Sequence, residues 1–327
     1  MTRSYMLLLL AMLAAGPLFA FEEPPRMPDA RMTGWHRTMV TTHEAVPNTT
    51  VKTYLTASRT AVLSNVLVKF APSVNGVGAE HAEDITVEDF PGGVTARFTL
   101  DGVRVSTEIV PLFYGRGKEE CEGAALYRVR TEPAAPVAIG IGGPGEQHMS
   151  YTQDILKDAL VPLERVHVRE NTADFLTGRE KLNAGVRASA PLERVAVEGG
   201  EALSVTFDDG AGEALLVYAH DMVERVPELR SLDTQQAREQ VDTYYAELLS
   251  QYVDTPEDAI DQAWRAALYN LEYNWNAPFG WNECIHHWLA MWHNQHTAGA
   301  EWVGQKDRSR MCTVTLAENL LPSGAVP

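Results

Sequence analysis

Apolar and polar residues alternate with a period of two along much of the segment from Arg31 to Glu228, and after Pro227 the spacing lengthens to that of helices. The clearest β signal is VTARFTLDGVRVSTEIVP, residues 94–111. Val94, Ala96, Phe98 and Leu100 share one face, Asp101-Gly102 supplies a two-residue turn, and Val103, Val105 and Ile109 resume the alternation. Asp-Gly between alternating runs predicts a type I′ hairpin, because both central positions need positive φ. Residues 203–219 (LSVTF, DDGAGE, ALLVYA) predict a second strand–turn–strand unit, and AALYRVRTEPAAPVAIGIGG (124–143) adds two strands around a proline-containing turn. Many short strands punctuated by Gly and Pro predict a large antiparallel sandwich.

The helical part begins with DTQQAREQVDTYYAELLSQYV, where Ala237, Val241, Tyr244 or Tyr245, Leu248 and Tyr252 recur at helical spacing and Asp233 is placed to cap the start. A second helix is expected from Thr255 as N-cap and Pro256 at the first helical position, with Ile260, Ala263, Trp264, Ala267, Leu268 and Leu271 as its apolar stripe. A third is expected over 285–303 and a fourth over 307–321, stopped by Pro322 and Gly324. The chain therefore reads as multidomain, β then α: a sandwich over 31–228, a helical linker over 229–254 and a helical part over 255–327. That last part holds six of the seven tryptophans in only 73 residues. Helices so aromatic cannot bury their faces in so small an isolated core, and the chain is read as truncated.

Composition narrows the class of ligand. A net charge of −17 on 327 residues argues against a nucleic-acid partner, since a polyanion would be repelled. The first 20 residues, with Arg3 ahead of an apolar run from Met6 to Leu13 and small residues up to Ala20, have the form of a cleavable signal peptide. The run is too short to span a bilayer, which takes about 20 residues. A periplasmic or secreted protein without a membrane anchor is expected. Three cysteines, Cys121, Cys284 and Cys312, make no disulfide framework; at most one pair forms, with Cys284 and Cys312 the expected partners.

Candidate chemistry concentrates in FGWNECIHHWLAMWHNQHTAGAEW, residues 279–302, with four tryptophans, four histidines, one cysteine and two glutamates in 24 positions. His286, His293 and His296 share a helix face near Cys284, and zinc would accept such ligands, but the spacing matches no H-E-x-x-H or paired Cys/His pattern. A packed aromatic core is the second reading. A sugar pocket is the third: flat aromatics cover the C–H face of a pyranose, and His, Asn and Glu satisfy its hydroxyls. Trp281, Glu283, Trp292, His293, Asn294 and His296 are the candidate substrate contacts. IGIGGPGEQ (139–147) lacks both the lysine and the following helix of a phosphate loop, and the chain has no nucleophile elbow. Nothing in the sequence asks for a cofactor.

An exported β domain, a helical linker and then TPEDAIDQAWRAALYNLEYNW leading into a Trp-rich helix resemble the six-hairpin glycosidases. TEIVPLFYGRGKEECEGAALYRVRTEPAAPVAIGIGG resembles a strand series of their sandwich. The resemblance implies a β-supersandwich followed by the first helices of an incomplete (α/α)6 barrel. It also implies a carbohydrate substrate and hydrolysis by an acid–base pair of carboxylates. That pair would lie beyond Pro327, leaving this chain an inactive N-terminal fragment of a glucosidase- or debranching-like enzyme whose catalytic residues are unknown. A non-catalytic carbohydrate-binding protein and an exported metal-binding protein are the alternatives. The oligomeric state is not legible.

Overall fold

The computed structural model describes residues 30–35, 38–58, 61–90, 92–112, 122–143, 160–177, 181–219, 224–250, 253–273, 275–276, 280–281, 297–318 and 320–325. The expected signal peptide, Cys121, Cys284 and residues 282–296 lie outside them.

Two eight-stranded antiparallel sheets form the β part. In the first, β1 (Ala30–Trp35), β2 (Thr38–His43), β3 (Thr49–Ser58), β4 (Ala61–Val74), β10 (Val137–Gly142), β15 (Gly200–Phe207) and β14 (Leu192–Val197) lie side by side, with β5 (Val77–Gly78) paired to β4. The second runs β11 (Glu164–Arg169), β12 (Thr172–Thr177), β13 (Leu182–Ala188), β16 (Ala211–Ala219), β9 (Glu122–Glu132), β8 (Val103–Pro111), β7 (Gly93–Leu100) and β6 (Glu83–Phe90). Their inner faces share one core, in which Phe70 of β4 stacks on Tyr127 of β9 with ring centroids 4.7 Å apart. The Asp101-Gly102 turn joins β7 to β8 with φ of 47° and 74°, both positive as a type I′ turn requires.

The strand–turn–strand unit expected over 203–219 forms, but its two strands do not pair with each other. β15 pairs with β10 and β14 in the first sheet, whereas β16 pairs with β13 and β9 in the second. The DDG turn is a corner of the sandwich. Leu203, Val205 and Phe207 meet Ala214, Leu216 and Tyr218 across the core instead of beside them in a ladder. The proline-containing turn between β9 and β10 is a second such corner.

Side chains alternate across a strand, and β9 and β16 bury both faces. Ala125, Tyr127, Ala214, Leu216 and Tyr218 point into the sandwich, while Ala124, Leu126, Leu215, Val217 and Ala219 pack outward against helices. Those helices are α1 (Arg225–Arg230), α2 (Thr234–Leu249), α3 (Asp258–Tyr273), a short helical stretch over 297–302 and α4 (Lys306–Glu318). Among the described residues no helix is long and apolar enough to cross a membrane. Asp233 caps α2 as its sequence predicts, accepting from the backbone N–H of Gln235 and Gln236. Arg187 of β13 donates to the carbonyls of Arg230 and Leu232 at 2.6 and 3.0 Å, closing the C-terminal end of α1 onto the sheet.

α3 starts two residues later than the sequence suggests. The Thr255 hydroxyl accepts from Glu257 N–H and donates to Asp261, which forms a turn ahead of the helix. Of its apolar stripe, Leu268 and Leu271 are buried and Ile260 is 53% exposed, because the helix packs through its C-terminal half.

α2 meets the second sheet at Gly92, whose φ is +84°. A Cβ there would stand 2.5 Å from Cγ1 of Val241. Gly92→Ala is expected to cost about 2–4 kcal/mol, from overpacking and from a left-handed conformation forced on a residue with a Cβ. Urea denaturation checks this, and a loss under about 0.5 kcal/mol would show that α2 yields freely.

Candidate functional site

The helical part is organised around a buried carboxylate. Glu272 sits on the same stripe of α3 as Leu268 and is fully buried. Arg308 of α4 grips it with both prongs, Nη1 to Oε1 at 2.7 Å and Nη2 to Oε2 at 3.0 Å, and Gln305 Nε2 donates to Oε1 at 2.7 Å. The Tyr244 hydroxyl of α2 lies 3.4 Å from Arg308 Nη2, and the guanidinium carbon is 5.2 Å from the centre of the Trp275 ring. Burial disfavours the Arg308 cation, but the facing Glu272 charge outweighs it and raises the pKa above the ordinary arginine value. Burial, followed by the Glu272 charge, pushes the Tyr244 phenol well above its usual range. A carboxylate with both oxygens committed to an arginine is a pin between helices. The sequence signal for this cluster is an acid on an apolar stripe, Leu268-x-x-Leu271-Glu272, answered by Arg308 four residues before Cys312.

Trp281, the one sequence-predicted contact among the described residues, lies beside this cluster. It forms the two-stranded ladder of β17 (Trp275–Asn276) and β18 (Gly280–Trp281). Its indole N–H donates to the Leu271 carbonyl at 2.8 Å, its ring centroid is 4.7 Å from that of Trp275, and the residue is 2% exposed. As placed here it joins α3 to the following segment and does not offer a ring face to a ligand. Glu283, Trp292, His293, Asn294 and His296 lie outside the described residues.

Cys312 of α4 is buried against the Trp281 backbone and the Thr297 side chain, and Cys284, its expected disulfide partner, lies outside the described residues. It sits inside the helical core, where packing serves that position. Burial pushes its pKa up to about 11, partly offset by hydrogen bonds to Thr297 and the Trp281 backbone. Since the thiolate is the nucleophile, Cys312 is expected to resist iodoacetamide at pH 8 in the folded chain and to react once urea opens the helices. Equal rates in both states, read by peptide mass spectrometry, would refute the burial. Among the described residues no group of three or more His, Cys, Asp and Glu side chains could hold a metal ion.

A second polar feature lies where the helices stop covering the outer face of the second sheet. The strand register aligns Glu88, Thr95, Glu108, Arg128 and Glu213 in one row across β6, β7, β8, β9 and β16. Arg128 bridges Glu213 at 3.3 Å and Glu108 at 3.8 Å. Arg238 of α2 reaches down to Glu108 at 2.9 Å and also pairs with Asp242 at 3.0 Å. Burial works against the Arg238 cation, but the Glu108 and Asp242 charges prevail and its pKa is raised. Its guanidinium carbon is 5.3 Å from the centre of the Phe90 ring. Period two marks these side chains as outward-facing, but only the register, set by pairing between distant strands, brings them into a line.

No family model matches the chain, and no curated protein matches it in sequence. Solved structures match in fold. A chain assigned as a kojibiose phosphorylase, from human microbiome, has a TM-score of 0.51 at 9% identity over 88% of this chain and 46% of its own. A family GH92 α-mannosidase from Bacteroides thetaiotaomicron has a TM-score of 0.46 at 11% identity over 78% of this chain and 40% of its own. The chain thus spans less than half the length of either. The likeness to the phosphorylase chain is one of fold, and the β-sandwich followed by helices seen here is the part of the implied architecture that the structure describes.

Proposed function

We propose that this chain is the β-sandwich and first helical segment of an exported carbohydrate-active enzyme of the glycoside hydrolase or phosphorylase kind, and that its ligand is an oligosaccharide. One observation supports the reading: a two-sheet sandwich lays the outer face of its second sheet against a helical part that contains Trp275 and Trp281 in its core, and the chain is similar in fold to a kojibiose phosphorylase chain. The warrant is architectural, an analogy of fold and not of a catalytic constellation. In this reading Glu283, Trp292, His293, Asn294 and His296 supply the aromatic and hydrogen-bonding wall of a sugar pocket, and Trp281 anchors that wall to α3. Glu272 serves the wall by fixing α3 against α4, and residues 1–20 direct export. The catalytic acid and base belong to other residues of the full-length enzyme.

Tryptophan emission tests the reading, because six of the seven tryptophans lie in the helical part. Titration with glucose-, mannose- and rhamnose-containing oligosaccharides is expected to shift that emission saturably for at least one sugar class. Trp292→Ala should abolish the shift. Emission indifferent to every sugar would overturn the pocket.

A further inference from the structure

Two adjoining depressions of about 810 and 520 Å³ lie along the polar part of the second sheet's outer face, and both are bordered by Thr95 and Glu108. Together they follow the row from Glu88 to Glu213, and a parallel row, Arg97–Ser106–Arg130, forms the floor beside it. Five strands at a spacing of about 4.8 Å make the groove roughly 19 Å long. Arg238 and Gln262 reach its border from α2 and α3.

The charge on this groove is unlike that of the chain. In a protein of net charge −17, the lining carries four carboxylates and four guanidinium groups. The guanidiniums of Arg97, Arg128 and Arg238 are each held by a carboxylate, at 2.8, 3.3 and 2.9 Å respectively. Pairing fixes their directions, yet a guanidinium has five N–H donors and a carboxylate about four lone pairs, so even the two partners of Arg128, Arg238 or Glu108 leave sites over. The result is a trough with as many guanidiniums as carboxylates, in which the acid-rich row Glu88–Thr95–Glu108–Arg128–Glu213 runs beside the arginine-bearing row Arg97–Ser106–Arg130. A polyanion meets carboxylates there, a polycation meets guanidiniums, and an apolar ligand would desolvate both without return. A neutral chain of hydroxyls lying along the two rows can donate to the glutamates of one and accept from the arginines of the other, through charge-assisted hydrogen bonds.

We propose that this groove is a binding site for a neutral, extended oligosaccharide, distinct from the tryptophan-rich segment and carried by the sandwich itself. It goes beyond the sugar pocket proposed above, and neither site requires the other. Arg97 and Arg130 are exposed, so Arg97→Ala/Arg130→Ala removes donors without opening the core. Thr95→Arg fills the middle of the groove as an independent block.

Calorimetric titration of the whole chain with neutral hexasaccharides of glucose or mannose, and with a uronic-acid hexasaccharide, reads the site. The expected result is saturable binding of a neutral hexasaccharide, with at least tenfold weaker binding of the uronic acid. Each groove variant should lose at least tenfold in affinity while keeping its unfolding midpoint, and Trp292→Ala should retain binding. Wild-type affinity in both groove variants, or no binding of any neutral hexasaccharide, overturns the groove. Binding lost in Trp292→Ala but kept in the groove variants would overturn the groove and leave the helical pocket standing. Groove binding with unchanged tryptophan emission would do the reverse.

Discussion

Replacing Glu272 with alanine is expected to remove about 3–5 kcal/mol of stability, the cost typical of stranding one partner of a buried ion pair. Arg308 would keep its charge inside the helical core with its main counter-ion gone, and Gln305 would lose the acceptor of its side-chain amide. Urea denaturation followed by tryptophan emission reads the change, since Trp275 and Trp281 surround the cluster. A double substitution, Glu272→Leu with Arg308→Met, separates the two ideas about this pair. If the loss comes from the orphaned charge, the double variant recovers most of it, because apolar groups of similar volume satisfy the same space. If Glu272→Ala costs under about 1 kcal/mol, water reaches Arg308 and the cluster is not the pin between α3 and α4.

Phe70→Ala is expected to cost about as much, roughly 3–5 kcal/mol, through a different mechanism. The ring is fully buried between the two sheets and stacks on Tyr127 with an interplanar angle of 5°. Truncation leaves a ring-sized cavity in a core whose neighbours belong to two hydrogen-bonded sheets and cannot collapse into it freely. Phe70→Leu should recover much of the loss, because it restores most of the volume. The unfolding midpoint by circular dichroism in the β region is the measurement. A loss below about 1.5 kcal/mol would mean that the sheets close over the space and that the stack does not join them.

Much of the secondary structure was legible because its causes are local. Asp101-Gly102 announces its own hairpin, and Asp233 announces its helix. What local pattern does not carry is the choice of partner. Leu203, Val205 and Phe207 declare a buried face, yet nothing in that alternation says whether the strand after the turn joins the same sheet or the opposite one. The DDG stretch therefore read only as a turn between two strands. β16 hid a second fact: LLVY is continuous because both faces are covered, by the sandwich on one side and the helices on the other. The α3 stripe shows the converse, since Ile260 obeys the helical period and still faces solvent.

The candidate site divided in the same way. Composition directed attention to residues 279–302, and the chemistry of aromatic rings and hydroxyls is a property of residue types. It could not show that Trp281 spends its N–H on the Leu271 carbonyl, which is a matter of which backbone passes within 2.8 Å. Nor could it assemble Glu272 with Arg308 across 36 residues, or align Glu88 with Glu213 across five strands, because both depend on contacts distant in sequence. The outer-face row was visible only as scattered charges.

Hydrogen exchange of the whole chain, with and without a saturating neutral oligosaccharide, tests the carbohydrate reading most directly. The account predicts slowed exchange in peptides spanning residues 275–318 for at least one sugar class. Unchanged exchange throughout that span with every sugar would contradict it, whatever the strands of the sandwich do.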